Sequence, residues 1–202
     1  MGLVSIFTQD MLRYIVMVFP VYAVLRVLFL GIKRVRPVAS REVLLGLCVM
    51  YGIGLVSQTL LPHAFYGMED LKMYVQAIMG PYRNFNLVPM HTIWSYLFTQ
   101  NDQVSNWGSV ATLNLLANIL LFVPLGFLLP QMTRGFTGLR KTMMFGLATS
   151  LAIEILQFFI GRSADVDDVI LNVLGVCIGY AVLVVARRVF APAKLAVATE
   201  SA

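Results

Sequence analysis

Long apolar runs dominate this chain, and its polar residues gather between them. Five stretches hold about 20 predominantly apolar residues each, the length that crosses a bilayer core as a helix. They are 11–32, 42–61, 112–130, 141–160 and 167–187. The pattern predicts an all-α fold, a polytopic membrane helix bundle with about five transmembrane helices. The first span, MLRYIVMVFPVYAVLRVLFLGI, contains Pro20 and Arg26. Arg26 lies within reach of one surface and is expected to snorkel to it. This opening run is expected to be retained and not cleaved as a signal peptide. Its basic cluster follows the apolar run, and no small-residue cleavage site comes after it. The organisation expected is a first helix with a basic loop (1–40), a membrane domain (41–190) and a disordered tail (191–202).

One long connection, 62–111, separates the second and third spans. Its stretch GPYRNFNLVPMHTIWSYLF is rich in aromatics. Tyr82, Trp94, Tyr96 and Trp107 suit the boundary between headgroups and tails. A short interfacial helix is predicted from His91 to Phe98.

Composition agrees with the pattern. The chain is 59% hydrophobic and 12% charged, where a soluble domain carries about 25% charged residues. Lys and Arg are distributed unevenly. One side of the predicted bilayer holds Lys33, Arg34, Arg36, Arg41, Arg134, Arg140, Lys141, Arg187, Arg188 and Lys194. The other holds Arg13, Lys72, Arg83 and Arg162. By the positive-inside rule the N-terminus is expected outside and the C-terminus in the cytoplasm. The pI of 9.4 then reflects topology and contact with anionic headgroups, not nucleic-acid binding. Cys48 and Cys177 both fall in spans, with no ligand spacing for zinc.

Against this background the polar residues inside spans stand out. Glu154 is costly in a bilayer and is expected to face the bundle interior or a cavity. Gln157, three residues on, shares its face. The fourth span ends near Ile160, so helical rise puts Glu154 about 9 Å inside its outer end. Asn118 in the third span and Asn172 in the fifth fall at the same depth of about 9 Å. Asn114 and Asn118 lie one turn apart. Asp165, Asp168, Asn172 and Gly175 or Gly179 have helical spacing down one side of the fifth span. Together they suggest a polar cavity open to the outer leaflet.

Asp167 is read as a cap for its own helix, placed in the first turn where a carboxylate meets free N–H groups. Asp165 and Asp168 have Arg162 nearby. They could form an Arg–Asp clamp or a divalent-cation site. Pro124 is read as a packing kink that frees a carbonyl. The GVCIG run from Gly175 to Gly179 is read as a tight helix–helix contact. His91, two residues after Pro89, is a candidate acid–base group at the cavity mouth.

Three segments carry a resemblance to a known family. NLVP (Asn86–Pro89), NLLANILLFVPLGFLLP (Asn114–Pro130) and SLAIEILQFFIGRSADVDDVILNVLGVCIGY (Ser150–Tyr180) resemble the successive signatures of VanZ-like membrane proteins. Glu154, Gln157, Arg162, Asp165, Asp168, Asn172 and Gly175 stand in the family's order and spacing. The resemblance covers roughly 45–188. Met90 and His91 depart from it, since an aromatic is expected after the proline. It implies a multi-pass protein of a bacterial cytoplasmic (inner) membrane. The family name derives from a member linked to teicoplanin resistance, and no settled reaction comes with it.

Four functions follow as expectations. In the first, the cavity binds an envelope amphiphile, either a polyprenyl-phosphate-linked cell-wall precursor or a phospholipid. Arg83 and Arg162 would hold its phosphate, while Asn86, Asn118, Gln157 and Asn172 would read hydroxyls or a sugar. In the second, Glu154 with Asp168, or with a divalent cation held by Asp165 and Asp168, would act catalytically on such a lipid. No nucleophile elbow, P-loop or HExxH motif accompanies these carboxylates. In the third, Glu154 relays protons in a small transporter or flippase, alone or within an oligomer. In the fourth, the chain is a non-catalytic scaffold.

Overall fold

The computed structural model describes residues 3–61, 72, 75–76, 78–80, 85–101 and 107–190, with 3–7 and 134 described in backbone only. Its helices are α1 (Leu3–Lys33), α2 (Ala39–Thr59), α3 (His91–Phe98), α4 (Trp107–Met132), α5 (Leu139–Phe159) and α6 (Val166–Phe190). A short 3-10 turn, Arg134–Phe136, precedes α5. There are also two two-residue strands, β1 (Phe85–Asn86) and β2 (Ala164–Asp165), and residues 72, 75–76 and 78–79 are helical.

Five helices are long and apolar enough to span a bilayer: Thr8–Lys33, Ala39–Thr59, Trp107–Met132, Leu139–Phe159 and Val166–Phe190. The expected all-α membrane bundle is therefore observed. Each of the five begins before its predicted span; α4 begins at Trp107 and not near 112. Hydropathy marks where the hydrocarbon lies, whereas helical hydrogen bonding continues into the interface. α3 has the predicted limits, His91–Phe98. Tyr82 and Arg83 and the tail 191–202 lie outside the described residues.

Burial is reversed relative to a water-soluble fold. Val16, Val21, Val24 and Val27 of α1 face outward. Thr142, Ser150, Glu154, Gln157, Asp167 and Asn172 are buried. Lipid tails solvate apolar side chains as well as a protein core does, so the inside is left to packing and to polar groups that satisfy one another.

The chain divides into two compact units, Met1–Asn86 with Ala152–Asp165, and Leu87–Leu151 with Val166–Ala202. In the first unit α1 packs on α2. The guanidinium of Arg26, expected to snorkel, pairs with a carboxylate of α2. Its Nε and Nη2 donate to Glu42 Oε2 and Oε1, both at 2.7 Å. This fork-on-carboxylate geometry is the strong form of an ion pair. It forms because Arg26 stands one helix away from Glu42 in the first turn of α2. The Glu42→Gln variant is expected to melt at a lower temperature than the parent in detergent. The double variant R26Q/E42Q should recover most of that loss, because no lone cation then remains in the span. α1 ends with Arg34 in the left-handed region at φ 52°. There Val35 N–H bonds to Leu30 O at 3.2 Å and Arg34 N–H to Gly31 O at 3.3 Å, the paired bonds of a Schellman stop.

In the second unit α4 and α6 approach until backbone meets backbone. An added Cβ at Gly126 would fall on the Val176 carbonyl, one at Gly175 on the Ile119 carbonyl, and one at Gly179 on the Val123 carbonyl. The expected tight contact of the GVCIG run is thus made with α4. Gly146 of α5 approaches the same Val176; a Cβ there would stand 2.6 Å from its Cγ2.

Candidate functional site

The polar residues singled out in the sequence fall into two clusters, one in each unit.

In the first unit the cluster is built at the ends of α2 and α5. α5 stops at Gly161, whose φ of 80° favours a residue without Cβ. Gly161 N–H bonds to Phe158 O at 3.3 Å and Arg162 N–H to Gln157 O at 2.9 Å. This Schellman turn folds Arg162 back beside Gln157. Gln157 Nε2 and Arg162 Nη1 both donate to the Thr59 carbonyl, each at 2.9 Å. Thr59 ends α2, so its carbonyl has no partner within its own helix. A guanidinium there also complements the negative end of the helix dipole. The anticipated Arg162–Asp clamp is not formed, because the end of α2 takes that guanidinium.

Around this join the last turn of α2 is buried and polar. Ser57 Oγ donates to Gly54 O and Thr59 Oγ1 to Leu55 O, both at 2.8 Å. Gln58 is 8% exposed, and its Nε2 donates to Ser57 Oγ at 3.3 Å. Its Oε1 is buried and has no hydrogen-bond partner among the described residues. Glu154, 6% exposed, accepts the Asp165 N–H on Oε2 at 2.7 Å. Asp165 Oδ1 accepts from Asn86 Nδ2 at 3.0 Å. The backbones of these two residues also pair, through the parallel register of Asn86 with Asp165. Asp165 was expected on the helical face of the fifth span. It stands instead in β2, one residue before α6 begins. The pairing with Asn86 holds it extended.

In the second unit the cluster surrounds the first turns of α6. Asp167 is fully buried and, from the first turn of α6, caps α3. Oδ1 accepts Met90 N–H at 2.5 Å, and Oδ2 accepts Thr92 N–H at 2.7 Å and Ile93 N–H at 3.1 Å. α3 needs this, because its N-cap residue is Met90, at φ 67° and with no side-chain cap bond. Asp168 Oδ1 accepts from Asn118 Nδ2 on α4 at 2.5 Å. Asn172 Nδ2 donates to Ser150 Oγ on α5 at 2.8 Å. Asn172 is 3% exposed, and among the described residues its Oδ1 has no hydrogen-bond partner. Asn114, one turn from Asn118, is half-buried, and His91 is exposed at the start of α3.

The aromatics of α3 cluster at its other end. Tyr96 meets Trp107 edge to face at 5.3 Å, and the Trp94 and Phe98 rings lie 4.3 Å apart, tilted by 41°. Trp107 Nε1 donates to Thr99 O at 2.6 Å. Trp94, Leu97 and Phe98 remain exposed, as an interfacial helix requires.

Glu154, Gln157, Arg162, Asp165 and Asn86 therefore come together in the first unit. Asn118, Asp168, Asn172, Asn114 and His91 belong to the second. Arg83 lies outside the described residues. Among the described residues no three His, Cys, Asp or Glu side chains are grouped to hold a metal ion. Sequence reasoning missed Ser57, Gln58, Thr59 and Ser150, and it missed that Asp167 caps α3. The run SQT at the end of the second span, and a helix at His91 with no capping residue of its own, were the available signals.

Compared with known proteins, the chain matches one family model, VanZ/LLP1, over residues 48–187. That range takes in most of α2 and runs through nearly all of α6, leaving α1 outside it. No curated protein and no solved structure matches the chain.

Proposed function

The chain belongs to the VanZ/LLP1 family, and from that premise we propose that its buried polar residues bind a cell-envelope amphiphile in a bacterial cytoplasmic membrane. The amphiphile is a polyprenyl-phosphate-linked precursor or a phospholipid. The proposed orientation has the N-terminus outside and the C-terminus in the cytoplasm, following the Lys and Arg asymmetry. In the first unit Glu154 serves as the buried acid or base and Gln157 reads a hydroxyl group; in the second unit Asn118 and Asn172 read hydroxyl groups. The family's tie to teicoplanin points to the same class of ligand, since that drug acts on the envelope.

One observation carries the reading. Among the described residues the buried amide oxygen of Asn172 has no hydrogen-bond partner, while its nitrogen is held by Ser150. A buried acceptor left unpaired costs about 1–3 kcal/mol. A ligand hydroxyl or amide would remove that cost. Gln58 presents the same feature in the other unit.

A second reading is favoured by the remaining bonds. Asn86 with Asp165, Asn118 with Asp168, and Gln157 with Thr59 satisfy one another. Such pairs suit a scaffold whose polar groups only hold helices together. The two readings separate by experiment. The parent, Glu154→Gln, Asn172→Leu and Asp168→Asn are purified with native lipids, checked for helix content and melting temperature, and examined by native mass spectrometry. Binding predicts one selected envelope lipid on the parent, lost from folded Asn172→Leu and Glu154→Gln. The same unselected lipids on all four would leave the scaffold reading standing.

A further inference from the structure

We propose that the start of α5 carries a separate site for one anionic phospholipid. A groove of about 450 Å³ opens there, lined by Phe136, Arg140, Lys141, Met144 and Phe145. All five lie in the second unit, and none belongs to the polar clusters described above.

The groove is held in shape from two sides. Thr142 is fully buried, and its Oγ1 bonds to Phe136 O at 3.2 Å and Gly138 O at 3.1 Å. Tyr180 Oη of α6 donates to the Thr137 carbonyl at 3.0 Å. The Phe136 and Phe145 rings meet edge to face at 5.3 Å. These contacts set an apolar wall beside the first turn of the helix.

The charge in that turn is unbalanced. α5 has no acidic residue in its first turn, yet Arg140 and Lys141 stand there. Neither makes an ion pair among the described residues, and both are exposed. Cations are ordinarily disfavoured at a helix N-terminus, where the dipole and the free N–H groups are already positive. Two cations added to that field form a receptor for an anion. A phosphate would meet charge-assisted donors from both side chains. The walls select the rest of the ligand. Phe136, Met144 and Phe145 would stay wet beneath inorganic phosphate but are covered by the glycerol and upper acyl chain of a lipid. The site also stands where headgroups are found, at the end of a membrane span. A zwitterionic lipid would bring its own ammonium against Arg140 and Lys141, so the net-anionic headgroup is favoured. The orientation proposed above puts the groove in the cytoplasmic leaflet; the site itself does not depend on it.

The test uses the full chain in a neutral detergent, titrated with phosphatidylglycerol or phosphatidylcholine and followed by native mass spectrometry and thermal unfolding. The parent is expected to keep one phosphatidylglycerol under activation that strips phosphatidylcholine, and to melt higher in its presence. R140Q/K141Q should retain it roughly 30-fold more weakly, the loss expected for two basic residues beside a headgroup. R187Q/R188Q, which removes equal charge from the last turn of α6, should bind like the parent. R140K/K141R keeps the charge and should also bind. The lipid-free melting temperature shows whether each variant is folded, and single Arg140→Gln and Lys141→Gln variants replace the double variant if it is not. The proposal is overturned by equal retention of both lipids, by unchanged binding in folded R140Q/K141Q, or by an equal loss in R187Q/R188Q. Displacement of the lipid by millimolar inorganic phosphate would also overturn it, because the groove would then be a simple anion site.

Discussion

Alanine at Gly175 or Gly179 is expected to lower the melting temperature of the detergent-solubilised protein sharply, and valine at either position to abolish recovery of monodisperse material. The cause is the seam between α4 and α6. A methyl group at Gly175 would collide with the Ile119 carbonyl, and one at Gly179 with the Val123 carbonyl. These obstacles are backbone atoms and cannot rotate aside, so the helices must separate. The four-residue spacing of Gly175 and Gly179 matches that of Ile119 and Val123, so the two contacts fix one register. Overpacking a fitted interior costs typically about 1–3 kcal/mol, and here separation also forfeits the close Cα–H to carbonyl contacts across the seam. The double variant should cost less than the sum of the singles, because one displacement relieves both collisions. The control is Gly52→Ala. Gly52 lies within α2 with open space where its Cβ would go, so alanine should stabilise by roughly 0.5–1 kcal/mol. Scanning fluorimetry over this set should give opposite signs at Gly52 and Gly175. A melting temperature unmoved by Gly175→Ala would mean that the seam is looser than described.

The spans, the helix His91–Phe98 and the tight GVCIG contact were legible in the sequence because each rests on a local signal. Run length marks a span, aromatics mark the interface, and small residues four apart mark close packing. The membership of Glu154 and Gln157 in one polar cluster was legible for the same reason, since three residues on a helix share a face. What could not be read was the partner of each polar group. Arg162 has three aspartates close by in sequence, yet it bonds to Thr59, over a hundred residues away, because a Schellman turn at Gly161 turns it back toward the end of α2. Asp165 fits helical spacing on paper, but α6 begins one residue later, and Asn86 takes Asp165 into an extended pair. Asp167 looks like a local cap, and nothing local shows that a distant helix lacks one. Periodicity assigns a face; the choice among donors on other elements is made by tertiary structure.

That distant helix supplies the second large effect. Asp167→Ala is expected to release α3 while leaving the spans folded. The carboxylate of Asp167 takes the N–H groups of Met90, Thr92 and Ile93, which are otherwise orphan donors at the helix start. Alanine leaves all three unpaired, at about 1–3 kcal/mol for each that stays buried. α3 has 8 residues, well short of the ~12–15 needed for an isolated helix to be even marginal in water. It cannot bear that loss alone. Hydrogen exchange should therefore accelerate roughly 10- to 100-fold at Thr92 and Ile93, while amides in the middle of α4 and α6 keep their protection. Asp167→Asn should fall between alanine and the parent. Its one carbonyl oxygen can serve Thr92 and Ile93, but its amide nitrogen then faces Met90 N–H, donor against donor. Unchanged exchange at Thr92 and Ile93 in Asp167→Ala would show that α3 is held by its aromatics alone. Equal acceleration across α6 would show that Asp167 supports its own helix as well. A local result would give a variant with intact spans and a freed aromatic segment. Its retained lipids, measured beside those of the parent, would then show whether α3 takes part in binding the envelope amphiphile or only lies near the interface.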